Sequence, residues 1–180
     1  MKKQLLFISA LVLGSLGWGQ RKPIKVACVG NSITYGYGIE NREQNSYPSV
    51  LQRLLGKGYK VENFGHSGAT LLSKGHRPYI QQEEYQKAVA FAGDIVVIHL
   101  GINDTDPRNW PNHRNDFVKD YLTLISSFKK ANPKARIVIA RMSPLSHRHP
   151  RFESGTRDWH AEIQQAIALV AQQTKAQLID

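Results

Sequence analysis

The alternation of apolar runs with helix-patterned stretches constrains this chain more than any other feature. Five short runs rich in β-branched residues lie at residues 24–30, 59–65, 94–101, 135–142 and 176–180. The clearest is Ile95-Val96-Val97-Ile98-His99-Leu100. A continuous run of this kind suits a strand buried on both faces, as in parallel sheets covered by helices. Between the runs, apolar residues recur with helical spacing. Residues 116–131 place Phe117, Tyr121, Leu124, Ile125 and Phe128 on one face, and residues 157–174 turn Ile163, Ile167 and Val170 inward. Residues 47–55 open on Ser46 as a cap with Pro48 in the first turn, and residues 83–92 close at Gly93. This β-α alternation predicts an α/β three-layer sandwich around a five-stranded parallel sheet.

The longest irregular stretches, 33–46, 69–82, 103–115 and 143–155, each follow a predicted strand. In open α/β sheets ligands bind at the carboxyl ends of the strands, so these loops are where chemistry is expected. The chain has 180 residues, the length of one domain. Residues 1–20 read as a signal peptide: Lys2 and Lys3, an apolar stretch from Leu5 to Leu16, then small residues at Gly17 and Gly19. Residues 21–180 form the domain, and the expected compartment is extracellular or periplasmic. The leader is too short for a comfortable membrane span, so no stable membrane insertion is expected. The single cysteine, Cys28, sits inside the first apolar run and reads as a small buried residue. The formal charge is +10, but the positive residues (Arg42, Lys57, Lys74, Arg108, Lys129, Arg136, Arg151) are scattered. No basic helix or aromatic–basic repeat points to nucleic acid.

Three motifs begin the strand-end loops: Gly30-Asn31-Ser32-Ile33-Thr34, Asn63-Phe64-Gly65-His66-Ser67-Gly68-Ala69-Thr70, and Gly101-Ile102-Asn103-Asp104. Acyl transfer needs a nucleophile and hydrogen-bond donors aimed at a developing oxyanion. Ser32 can supply the first. The Gly68 N–H, the Asn103 side-chain N–H and the Ser32 N–H can supply the second. Each motif alone is an ordinary turn; their order and their common place at strand ends carry the reading. No metal or other cofactor is implied, and the His and Asp residues show no helix-spaced ligand pair.

This combination resembles the SGNH (GDSL-type) hydrolases, named for a Ser, a Gly, an Asn and a His. The resemblance spans residues 24–180 and implies a flavodoxin-like sheet, with Ser32 as nucleophile and Gly68 and Asn103 as oxyanion donors. The usual Gly-Asp-Ser stands here as Gly-Asn-Ser, with Asn31 orienting the turn. The family's Asp-x-x-His, which supplies the triad Asp and His after the fifth strand, has no counterpart. Asp158-Trp159-His160 has the wrong spacing and lies inside a predicted helix. His147 and His149 follow the fourth strand and are weighed as pocket residues, an improvised base or a weak metal site, against a plain polar loop. The resemblance implies a chain lacking the family's last motif and final helix. Little esterase activity and marginal stability are then expected of the 180 residues.

The segment 63–79 and the loop 103–110 are similar to the branch that acts on carbohydrate O-acetyl esters, including sialate O-acetylesterase-like proteins. A small-molecule or glycan ester is therefore the expected partner. Asn31, Asp104, Tyr37, Arg77 and Trp110 are the candidate substrate-binding residues. Tyr35 and Tyr79 are further candidates for stacking a sugar, and Arg108 is an alternative to Arg77 for pairing with a sugar carboxylate. Alternatives are a lysophospholipase or arylesterase of the same family, and a glycan-binding module without turnover. A nucleotide binder is disfavoured because the first motif lacks the Lys and further glycines of a phosphate loop, and no Gly-x-Ser-x-Gly elbow is present.

Overall fold

The computed structural model describes residues 22–146, 148 and 157–180. Its sheet comprises β1 (Ile24–Gly30), β2 (Tyr59–Gly65), β3 (Ile95–His99), β4 (Arg136–Ala140) and β5 (Gln177–Ile179). All neighbours run parallel, in the order β2-β1-β3-β4-β5. The helices are α1 (Ser32–Tyr35), α2 (Arg42–Asn45), α3 (Tyr47–Leu55), α4 (Glu83–Phe91), α5 (Trp110–His113), α6 (Phe117–Ala131) and α7 (Arg157–Thr174). This is the doubly wound order in which the chain reverses direction across the sheet between β1 and β3.

The main core fills one side of the sheet. Ala27, Val29, Val96, Ile98, Ile137 and Ile139 point into it from the strands. Ala88 of α4, Phe117, Tyr121, Leu124 and Phe128 of α6, and Ile163, Ile167 and Val170 of α7 close over them. The inward stripes of α6 and α7 are those their spacing predicts, since residues three and four apart share a face. On the other side α3 packs against β2. There Tyr47 reaches Cys28, which is fully buried as expected, and burial pushes its thiol up to about 12. Ile95 and Val97 stay half-buried, so β3 is not enclosed on both faces as its run suggested.

Several element ends differ from expectation. Helix α4 closes on Ala92, in the left-handed region at φ 49°, one residue before Gly93. Gly93 is needed for another reason: a Cβ there would crowd the Ile95 carbonyl at 3.0 Å and the Ala27 Cβ at 3.2 Å. Ser46 makes no side-chain cap; its hydroxyl pairs with the Ser49 hydroxyl at 3.0 Å. Strands β3 and β4 are shorter than their apolar runs. Leu100 and Met142 remain buried beyond them, in packed loops.

Candidate active site

The register of the three central strands sets the site. Gly30 is level with Gly65 on one side and with His99 on the other. The three motifs therefore leave the sheet side by side, at the same edge, with the β1 and β3 loops flanking the switch point where open α/β sheets bind ligands.

Ser32 starts a one-turn helix directly after β1. Asn31 caps its start, its Oδ1 accepting from the Ile33 N–H at 3.0 Å. The turn folds back on the strand so closely that a Cβ on Gly30 would overlap the Thr34 side chain. The end of β2 supports it from the side. A Cβ on Gly65 would overlap the Tyr35 backbone nitrogen, and Asn63 Nδ2 donates to the Thr34 carbonyl at 2.8 Å. These contacts leave Ser32 half-buried at the strand end.

Gly68 lies in a tight turn. The His66 N–H donates to the Gly30 carbonyl at 2.9 Å and the Ala69 N–H to the His66 carbonyl at 3.1 Å. Gly68 itself has φ 81°, a region that strains any residue with a Cβ. Asn103 sits in the turn after β3 and crosses to this segment: its Nδ2 donates to the Ala69 carbonyl at 2.9 Å. A side-chain amide has two N–H groups, so one remains for a ligand beside Gly68. The next residue fastens the same segment. The Asp104 carboxylate accepts from the Leu71 N–H at 2.9 Å and the Leu72 N–H at 2.8 Å, and Asp120 takes the Ser73 N–H at 2.7 Å.

Three expected substrate contacts point elsewhere. Asn31 is fully buried, with its side-chain oxygen spent on the turn. Asp104 is fully buried between its own turn and the 71–72 backbone. Trp110 is only 4 % exposed; it stacks edge-on against Phe117, and its indole N–H donates to Glu162 at 2.6 Å. These residues build the loops and do not line the edge, because the edge loops carry a core of their own. Tyr79 belongs with them, fully buried with its hydroxyl donating to the Phe64 carbonyl at 2.7 Å. Tyr35 lies under the Arg42 guanidinium, 4.0 Å from the ring centre. Arg108 is held in a fork by Asp106, both contacts being 2.9 Å. Tyr37, at 76 % exposure, and Arg77 remain open to solvent.

The residues that join the loops carry no periodic signal and were missed in the sequence. Asn109 is fully buried. Its Oδ1 accepts from the His76 N–H at 2.9 Å and its Nδ2 donates to the Asn103 carbonyl at 2.8 Å. It thus ties the second-motif loop to the third. Gln164 of α7 clamps the backbone of Met142 from both sides, accepting from its N–H and donating to its carbonyl. Among the described histidines near the edge, His66 pairs with Glu84 at 2.9 Å, His76 with Asn109, and His160 with the Ser143 carbonyl at 3.0 Å. His99 is 8 % exposed, and burial lowers its pKa, so it packs as a neutral ring. His147 and His149 lie outside the described residues.

A groove of about 1250 Å³ lies away from this edge against α4 and α6, and is lined by Tyr85, Val89, Val118, Leu122, Lys119 and Lys130 among others. Thr123 and Ser127 there bond back to their own helix, and Ser126 lines it beside them. None of the three motifs reaches it, so the motif edge remains the site. Among the described residues no group of three or more His, Cys, Asp and Glu can hold a metal ion, and no helix is long and apolar enough to cross a membrane.

The model of the GDSL-like lipase/acylhydrolase family matches residues 28–180. The chain belongs to that family. A curated acetylxylan esterase from Xylanibacter ruminicola is 46 % identical over 106 residues, which is 59 % of this chain and 22 % of the relative. The matched segment is thus about a fifth of that protein. Among solved structures, TesA superposes with a TM-score of 0.64 at 21 % identity, covering 86 % of this chain and 76 % of its own. The SGNH-hydrolase esterase AlinE4 gives 0.62 at 19 % identity, covering 88 % and 76 %. Est24, a carbohydrate acetylesterase from Sinorhizobium meliloti, gives 0.61 at 22 % identity, covering 87 % and 83 %. These likenesses establish the SGNH hydrolase fold for this five-stranded sheet.

Proposed function

We propose that this chain is a serine esterase that removes O-acyl groups, acetyl foremost, from carbohydrates. Ser32 is the nucleophile, and the Gly68 N–H and the free Asn103 N–H receive the oxyanion. The carrying observation is the bond from Asn103 to the Ala69 carbonyl. It brings the second and third motifs together at the edge where Ser32 emerges. The acetylxylan esterase relative supports acetyl on a sugar as the substrate class. Attack by the Ser32 oxygen on the ester carbonyl gives a tetrahedral oxyanion; its collapse releases the sugar alcohol and leaves an acyl-serine, which water hydrolyses.

A serine hydroxyl without a base is a weak nucleophile at neutral pH, and a base contributes roughly 10²- to 10⁴-fold. The described histidines near the edge are hydrogen-bonded to other partners, so the base is assigned to a residue outside the described set. The same observation favours a second reading, a glycan-binding module without turnover. Acetate release from acetylated xylo-oligosaccharides separates the two. It is measured on the chain and on the longest natural polypeptide containing it, with Ser32→Ala as control. Release lost in Ser32→Ala supports the esterase; binding with no Ser32-dependent release in either preparation refutes it. Export through residues 1–20 is part of the proposal, and N-terminal sequencing of the mature protein tests it.

A further inference from the structure

Arg77 sits against the oxyanion turn with most of its hydrogen-bonding capacity unused. Its Nη1 donates to the Ser67 carbonyl at 3.1 Å, and the same nitrogen lies 3.0 Å from where a Cβ on Gly68 would be. A guanidinium has five N–H donors, and this is its single bond among the described residues. The other arginines on the edge loops differ. Arg42 is paired with Glu43 and stacked on Tyr35, and Arg108 is forked onto Asp106. Glu84, which reaches the Gly68 turn, is bound to His66 instead. Arg77 is the exposed cation on this turn with no carboxylate partner among the described residues.

Its backbone is also fixed. The Arg77 carbonyl accepts from the Thr70 N–H at 2.9 Å, and the Tyr79 N–H donates to the Thr70 carbonyl at 2.9 Å. The preceding residue, His76, is anchored to Asn109. The side chain therefore projects from a rigid base, so fewer degrees of freedom remain to be lost on binding. Planar donor geometry of this kind matches a carboxylate.

We infer that Arg77 is a carboxylate anchor beside the oxyanion site and that the preferred substrate is an acyl ester on an acidic sugar, with a uronate on the same or the neighbouring ring. The inference rests on the proposed site and deepens it. Without Lys2 and Lys3 of the leader the formal charge is still +8, which favours an acidic glycan in the same direction.

The test uses acetylated glucuronoxylan oligosaccharides and the same material after carboxyl reduction, which keeps the acetyl esters and removes the charge. Two measurements are made: kcat/KM for acetate release, and Kd by calorimetry on Ser32→Ala. The acidic form is expected to bind about five- to tenfold more tightly in low salt, the size of one charge-assisted contact at a partly exposed site. The preference appears in KM, collapses toward one in high salt, falls to about one in Arg77→Gln, and is partly kept in Arg77→Lys. A ratio near one in the wild type, or an Arg77→Gln effect equal on both materials, overturns the inference and assigns Arg77 to holding the turn. If neither material is hydrolysed but the acidic one binds preferentially through Arg77, the esterase reading fails and the anchor stands.

Discussion

Replacing Asp104 by Asn tests the fastening of the proposed oxyanion loop and gives a pH signature with a definite sign. The Asp104 carboxylate is fully buried, and its two oxygens accept from the Leu71 and Leu72 N–H groups at 2.9 and 2.8 Å. Burial, reinforced by the nearby Asp120 charge and opposed by the backbone donors, raises its pKa from 3.8 to about 7. Between those values the native protein keeps a proton that the unfolded chain releases. The contribution of this residue to stability is therefore complete in acid and is lost as pH rises from about 4 to about 7. The full loss is about 4 kcal/mol at 1.36 kcal/mol per pKa unit, of which about 3 kcal/mol falls between pH 5 and pH 8. Asn cannot ionise and retains one acceptor where the wild type has two. One N–H is left facing an amide NH2, at a cost of about 1–3 kcal/mol.

Urea unfolding followed by tryptophan fluorescence, on both proteins from pH 5 to pH 8, reads the difference directly. Groups that do not interact with Asp104 cancel in it. The wild type is more stable at pH 5, and its advantage shrinks by about 3 kcal/mol, closing or reversing, by pH 8. An advantage that stays constant within about 0.5 kcal/mol, or grows with pH, would falsify the account. A growing advantage would mean that the two N–H donors dominate burial and depress the pKa.

Two further outcomes follow from packing. Gly65→Ala drives a methyl into the Tyr35 backbone, where no rotamer can yield; overpacking of this kind costs more than about 2 kcal/mol, and the loss is expected as a lower urea midpoint. Activity that survives at a wild-type midpoint would show that α1 moves freely against β2. Cys28, buried and with its thiol pushed up to about 12, is expected to react with an aromatic disulfide reagent only as fast as the protein unfolds. Rapid labelling in native buffer, with no change in rate on adding urea, would contradict the assigned burial.

The strand and helix register was legible because burial imposes it. β1 and β2 have the bounds their apolar runs predict, and α7 spans Arg157–Thr174 as its period predicts. The motif loops were legible in a narrower sense. Their chemistry is set by single residues after each strand, and parallel pairing of β1 with β2 and β3 brings Ser32, Gly68 and Asn103 to one edge. What failed was the inference from residue type to solvent exposure. Trp110 and Tyr79 sit in irregular stretches, where neither a period of two nor one of 3.6 distinguishes an outward ring from a buried one. They turn inward because the 69–82 and 103–115 loops pack on each other through Asn109 and Asp104, and Trp110 also reaches Glu162 of α7, contacts that no local pattern announces. The same packing explains why Arg77 is open while Arg108 is closed. Asp106 lies two residues before Arg108 and captures it within one turn. Arg77 follows a residue fixed across the loops by Asn109, with no described carboxylate paired to it. If Arg77 anchors a carboxylate as inferred, the specificity of this edge is set by which cation the loop core leaves unpaired, and the count of cations in the sequence carries little of it.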